Sequence, residues 1–116
     1  MKKSVLFTLI TLIFSGLVMA TPPKTAEAKF KTSAVCGMCK KRIERDLGVT
    51  KGVVESKLNL EDKVVTITYN PKKTSPDKLK AAISKIGYDA DDVVADKNAH
   101  DALPDCCKKG NAMHKD

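Results

Sequence analysis

Tryptophan is absent from this chain of 116 residues, and only two tyrosines and three phenylalanines accompany it. Without aromatic side chains there is no platform on which single-stranded bases stack, so nucleic-acid binding is set aside and the lysine surplus reads as solvated surface. The formal charge is +7, and Lys2 and Lys3 supply two of those charges, leaving a modest +5 on residues 21–116. No nucleophile–base pair and no paired carboxylates stand out, so the chain is not expected to be an enzyme. The acidic run Asp89-Ala90-Asp91-Asp92 reads as a solvated strand edge. There is no internal repeat. Cysteine is missing from the whole stretch between Cys39 and Cys106, so the even count of four is not spaced like a framework of staples. Two pairs at opposite ends read instead as chemistry.

The apolar run from Ser4 to Val18 is short of the roughly 20 residues that span a bilayer. It follows Met1-Lys2-Lys3 and ends on Val18-Met19-Ala20, the order of an export leader with cleavage after Ala20. Residues 1–20 are therefore read as a signal peptide and the protein as periplasmic or secreted, in a compartment that permits disulfides. Residues 21–28, with Pro22-Pro23 and little apolar content, are read as a linker. Residues 29–94 are read as one small domain, and 95–116 as a polar, flexible tail.

Within the domain the hydrophobic period alternates between two and 3.6. Phe30, Thr32 and Ala34 share one face of a strand beginning at Lys29. A helix is predicted over Lys40 to Leu47, with Ile43 and Leu47 on one face and Gly48 as its stop. Val54, Ser56, Leu58 and Leu60 predict a half-buried strand, Glu61-Asp62-Lys63 a turn, and Val64 to Tyr69 its hairpin partner. Ser75-Pro76 starts a second helix carrying Leu79, Ala82, Ile83 and Ile86, and Gly87 ends it. Tyr88 to Val94 is predicted as a short last strand. The order β-α-β-β-α-β predicts an α+β, ferredoxin-like sandwich: a four-stranded antiparallel sheet with two helices on one face.

Cys36-Gly37-Met38-Cys39 falls between the first strand and the first helix. The spacing by itself fits a redox couple, half a zinc site, a disulfide or a claw for a soft ion. Thiolates are favoured near a helix N-terminus, and Lys40, Lys41, Arg42 and Arg45 add positive charge. Gly37 is expected to permit the tight turn between the sulfurs. Two thiolates with no histidine or carboxylate in the loop suit ions that accept few soft ligands, Cu(I) above all, with Hg(II), Ag(I), Cd(II) and Zn(II) sharing the preference.

Together, Cys36-x-x-Cys39, Ile43-Glu44, Leu47, Gly52-Val53, Leu58-Asn59-Leu60, Val65-x-Ile67-x-Tyr69-x-Pro71, Thr74, Leu79, Ala82-Ile83 and Gly87-Tyr88 resemble the heavy-metal-associated domain family. That family includes copper chaperones, domains of copper-exporting ATPases and the periplasmic mercury-binding protein. The resemblance covers about Lys29 to Val94. It implies one soft ion held by Cys36 and Cys39 and passed to a metal-transporting or metal-receiving partner by ligand exchange, the protein being a monomer or a dimer that shares one ion. Two departures stand out: Ser33-Ala34-Val35 replaces the usual Gly-Met-Thr, and Met38 occupies a position usually small or polar. Tyr88 falls where the family places a residue near the metal loop. The basic residues Lys40, Lys41, Arg42 and Arg45 suggest an acidic docking face on the partner.

The tail adds Cys106, Cys107, Met113 and His114, all suited to soft ions, as a candidate second site or as partners that complete a four-thiolate set with Cys36 and Cys39. His100 reads as a solvated loop histidine. The competing reading of Cys36 and Cys39 is a thiol–disulfide redox pair. Against it, Val35 stands where an aromatic residue usually precedes such a motif, and no strand offers a cis-proline candidate.

Overall fold

The structure, a computed structural model, describes residues 24–108. The expected signal peptide, and Met113 and His114 of the tail, lie outside the described residues. Six elements and a final turn follow in order: β1 (Ala26–Lys31), α1 (Gly37–Gly48), β2 (Val53–Leu58), β3 (Val64–Tyr69), α2 (Pro76–Ile86), α3 (Lys97–Asp101) and a 3-10 turn at Asp105–Cys107. β1 starts at Ala26, inside the segment expected to be linker. None of the described helices is long and apolar enough to cross a membrane.

β3 is the central strand, antiparallel to β1 from Ala26–Tyr69 to Lys31–Val64 and antiparallel to β2 on its other side. Its alternation decides the layers: Val65, Ile67 and Tyr69 are buried, while Val64, Thr66 and Thr68 are half-exposed. The buried set joins Phe30 and Leu58 with Ile43 and Leu47 of α1 and Leu79 and Ile83 of α2 in one core. The helices thus cover one face of the sheet.

α2 is bounded as its sequence predicts. The Ser75 hydroxyl accepts from the Lys78 N–H, Pro76 opens the helix, and Gly87 closes it at φ 115, a left-handed conformation that disfavours side chains. β2 departs from prediction. Its register moves from Val53–Tyr69 to Glu55–Thr68, a bulge at Val54. The extra residue turns Val54 outward, 63% exposed, and leaves Leu58 on the core face.

The predicted fourth strand is not formed; the sheet of the described residues has three strands. Ala90 makes an isolated bridge to Thr32, beside the end of β1, and a second to Val93. Asp91 is the cause. Its φ of 51 turns the chain back, and its carboxylate accepts the Lys31 N–H at 2.7 Å, taking the place of a ladder carbonyl. Asp92 pairs with Lys80 at 3.0 Å. The acidic run therefore closes a turn rather than edging a strand.

Candidate metal centre

The loop after β1 is anchored at Thr32, whose hydroxyl donates to the Lys63 carbonyl at 2.9 Å and accepts from the Ala34 N–H at 3.3 Å. Ala34 and Val35 are buried, which draws the chain inward before the cysteines. Cys36 is the N-cap of α1 in extended conformation, and its carbonyl accepts the Lys40 N–H. Cys39 lies in the first helical turn with no solvent exposure, while Cys36 is 8% exposed. Their sulfurs are 3.4 Å apart, beyond the roughly 2.05 Å of a bond. All four cysteines are free thiols. Gly37 does not need to be glycine: its φ is not positive, and a Cβ there would meet nothing within 4 Å. Helical geometry from Gly37 onward brings the sulfurs together, not a glycine turn.

The segment read as a flexible tail folds back over this loop as far as residue 108. The Ser84 hydroxyl donates to the Val94 carbonyl at 2.8 Å, and the Ser84 carbonyl accepts the Asp96 N–H at 3.0 Å. Asp96 caps α3 by accepting the Ala99 N–H at 2.9 Å. Gly87 lets α3 approach; a Cβ on it would fall 3.0 Å from the Ala99 carbonyl oxygen. Leu103 enters the core, 5% exposed, and the following turn buries Cys107 to 1%.

Cys107 Sγ then lies 3.9 Å from Cys36 Sγ, and Cys106 Sγ lies 3.9 Å from Cys107 Sγ. The sulfurs of Cys36, Cys106 and Cys107 all lie within 4.8 Å of one another. Cys106 remains half-exposed at the rim, 3.8 Å from the thioether of the exposed Met38, and its carbonyl accepts from the Cys36 thiol at 3.8 Å. Cys106 and Cys107, read as a second site or as partners of the first pair, thus lie beside the first pair. The sequence left open whether they stand apart or complete the first set, because the choice depends on the hydrogen bonds of Ser84 and the approach of α3 to Gly87. The one available signal was Leu103-Pro104, an apolar anchor in an otherwise polar segment.

Tyr88 is fully buried behind the thiols. Its hydroxyl makes no hydrogen bond of good geometry and faces the sulfurs of Cys39 and Cys107. Burial, and then those two thiols, push the phenol far above its ordinary range. Burial also pushes Cys36 up, and pushes Cys107 up further. Burial opposes ionisation of Cys39 too, but its polar neighbours, Cys107, the backbone at Val35, Tyr88 and Cys36, outweigh it and bring this thiol below its usual value. Of Cys36, Cys39 and Cys107, only Cys39 is held below its usual value.

Of the basic residues, Lys40 is turned onto its own fold: it pairs with Glu44 and donates to the Leu58 carbonyl at 2.9 Å. Arg45 pairs with Asp46 at 3.0 Å, Arg42 is half-buried, and Lys41 is exposed. The donors gathered at the loop are soft sulfurs, suited to a thiophilic ion and unsuited to a hard cation.

The heavy-metal-associated domain profile matches residues 30–89. A copper-exporting P-type ATPase of Staphylococcus saprophyticus is 49% identical over 55 residues, which are 47% of this chain and 7% of that protein. Among solved structures, the N-terminal domain of a potential copper-translocating P-type ATPase from Bacillus subtilis, in its Cu(I)-loaded state, is 36% identical with a TM-score of 0.55, over 59% of this chain and 86% of that one. The CopZ metallochaperone is 30% identical with a TM-score of 0.53, over 56% of this chain and 98% of that one. The chain thus aligns with nearly all of a small metallochaperone and with a small part of the ATPase.

Proposed function

The chain belongs to the heavy-metal-associated domain family, and from that premise we propose that it is an exported carrier of one thiophilic ion, with Cu(I) as the cargo. Cys36 and Cys39 hold the ion, and a metal-transporting or metal-receiving partner takes it by ligand exchange. Export rests on the leader-like residues 1–20. Cu(I) rests on the soft donor set and on the copper proteins among the relatives.

The observation that carries the proposal is the pair of free sulfurs 3.4 Å apart at the start of α1, inside the residues that match the family. Handover needs no redox change. Each incoming thiolate of the recipient takes a place on the ion, one of the chain's thiolates leaves, and that thiolate takes up a proton. The basic residues at the start of α1 favour a recipient with an acidic face.

The test is a Cu(I) titration of the reduced chain, residues 21–116, against a competing chelator, beside Cys36→Ser/Cys39→Ser. Tight one-to-one binding is expected, and it is lost in the double variant. A wild type that competes no better than the variant would overturn the proposal and return the pair to the redox reading.

A further inference from the structure

Linear coordination by two thiolates demands widely separated sulfurs. With bonds of about 2.3 Å, the value typical of zinc thiolates, the two sulfurs of a linear site lie about 4.6 Å apart, whereas those of a trigonal plane lie about 4 Å apart. Cys36 and Cys39 are 3.4 Å apart, short of both spans and nearer the trigonal edge. Cys36 and Cys107 are 3.9 Å apart, close to a trigonal edge. Cys39 and Cys107 both interact with the Tyr88 hydroxyl and with each other.

The third thiol is not a stray contact. Leu103 in the core, the Asp96 cap on α3, the Ser84 hydrogen bonds and the close approach allowed by Gly87 all fix the segment that carries it. Cys107 is buried to 1%, while its neighbour Cys106 is half-exposed, so the two adjacent thiols are placed differently.

We propose that Cys107 is a third ligand of the ion held by Cys36 and Cys39, and that residues 95–108 form a built-in ligand arm closing a three-thiolate centre. This rests on the carrier reading above. The thiophilic ion enters as cargo, each thiol that binds it loses one proton to solvent, and no bond between sulfurs forms. Cys106 Sγ also lies within 4.8 Å of the Cys36 and Cys107 sulfurs. It is half-exposed at the rim beside Met38, however, so the buried Cys107 is assigned as the ligand and Cys106 is left to the test below. The arm occupies the place a recipient's first thiolate needs, so handover begins when Cys107 leaves the ion, and the ion is retained until a competing thiolate arrives.

The experiment is X-ray absorption on the full reduced chain loaded with one equivalent of Cu(I), with the competition titration run in parallel. Three sulfurs are expected for wild type, three for Cys106→Ser and two for Cys107→Ser. The affinity of Cys107→Ser is expected to fall by at least the ~10–100-fold that loss of a mere outer-shell partner costs a metal site. Two sulfurs in wild type would overturn the inference without any variant, so a misfolded Cys107→Ser cannot shield it. A count that falls in Cys106→Ser and not in Cys107→Ser would overturn it as well. The carrier reading fails separately, if Cys36→Ser/Cys39→Ser binds as tightly as wild type.

Discussion

Tyr88 brings a hydroxyl into the core with no well-formed hydrogen bond, against two thiols. A buried, unsatisfied hydroxyl costs about 1–3 kcal/mol, so its presence calls for a compensating task. That task is at Cys39, which the hydroxyl faces without a well-formed bond and where its polarity adds to the influences that outweigh burial and favour the thiolate. Tyr88→Phe is therefore expected to leave stability unchanged or raise it, by up to about 1–3 kcal/mol, while the Cys39 thiol titrates at higher pH. Urea denaturation and the pH dependence of alkylation at Cys39 check the two halves; unfolding at lower urea with an unchanged alkylation profile would refute both. At this scale the sequence disclosed Cys36 and Cys39, because their contact depends on three residues of local spacing. Cys107 was legible as a candidate, but its contact with Cys36 crosses 71 positions and depends on how α3 folds back, so the sequence left its place between two alternatives. The role expected of Gly37 was assigned by residue type, and the backbone there makes no such demand.

Between elements, Glu44 is the clearest fastener outside the core. From α1 it accepts the Leu58 N–H at the end of β2, at 2.9 Å, and pairs with Lys40 one turn back. Partial burial works against its charge, but the Lys40 and Leu58 hydrogen bonds prevail and hold the carboxyl below its ordinary range. A carboxyl depressed in the folded state stabilises the fold at pH values above its unfolded value, and that contribution disappears as pH falls through the folded one. Glu44→Gln is expected to cost about 1 kcal/mol near neutral pH, between an exposed ion pair and a charged hydrogen bond. The cost shrinks towards zero in acid. Urea midpoints of both proteins across the acidic range should converge; parallel curves would remove Glu44 from the acid response. Helix α2 and strand β3 were legible because cap chemistry and strict alternation are local signals. The bulge at Val54 and the missing fourth strand were not. Val54 looks like any alternating residue until the register slips, and Asp91 looks like a solvated acid until its carboxylate takes the Lys31 N–H.

For the whole molecule, what matters is how the charge meets a partner. Residues 21–116 carry +5, but the charges beside the thiols are unequal. Lys40 is engaged by Glu44 and Arg45 by Asp46, while Lys41 is exposed on the turn of α1 that holds Cys39. If the recipient docks an acidic face here, encounter is steered by charge and weakened by salt, since the screening length falls from about 10 Å at 0.1 M to about 3 Å at 1 M. The rate of ion transfer to a net-acidic acceptor domain is therefore expected to fall as ionic strength rises. Lys41→Glu should lower that rate several-fold at low salt and much less at high salt, where screening already suppresses the contribution. Metal affinity is measured alongside, because Lys41 also places positive charge near the thiolates. Stopped-flow transfer measured across a salt series separates the two effects. A rate indifferent to salt in both proteins would remove the acidic docking face and leave the thiolate centre intact, because the sulfurs are positioned by buried packing that salt screens little.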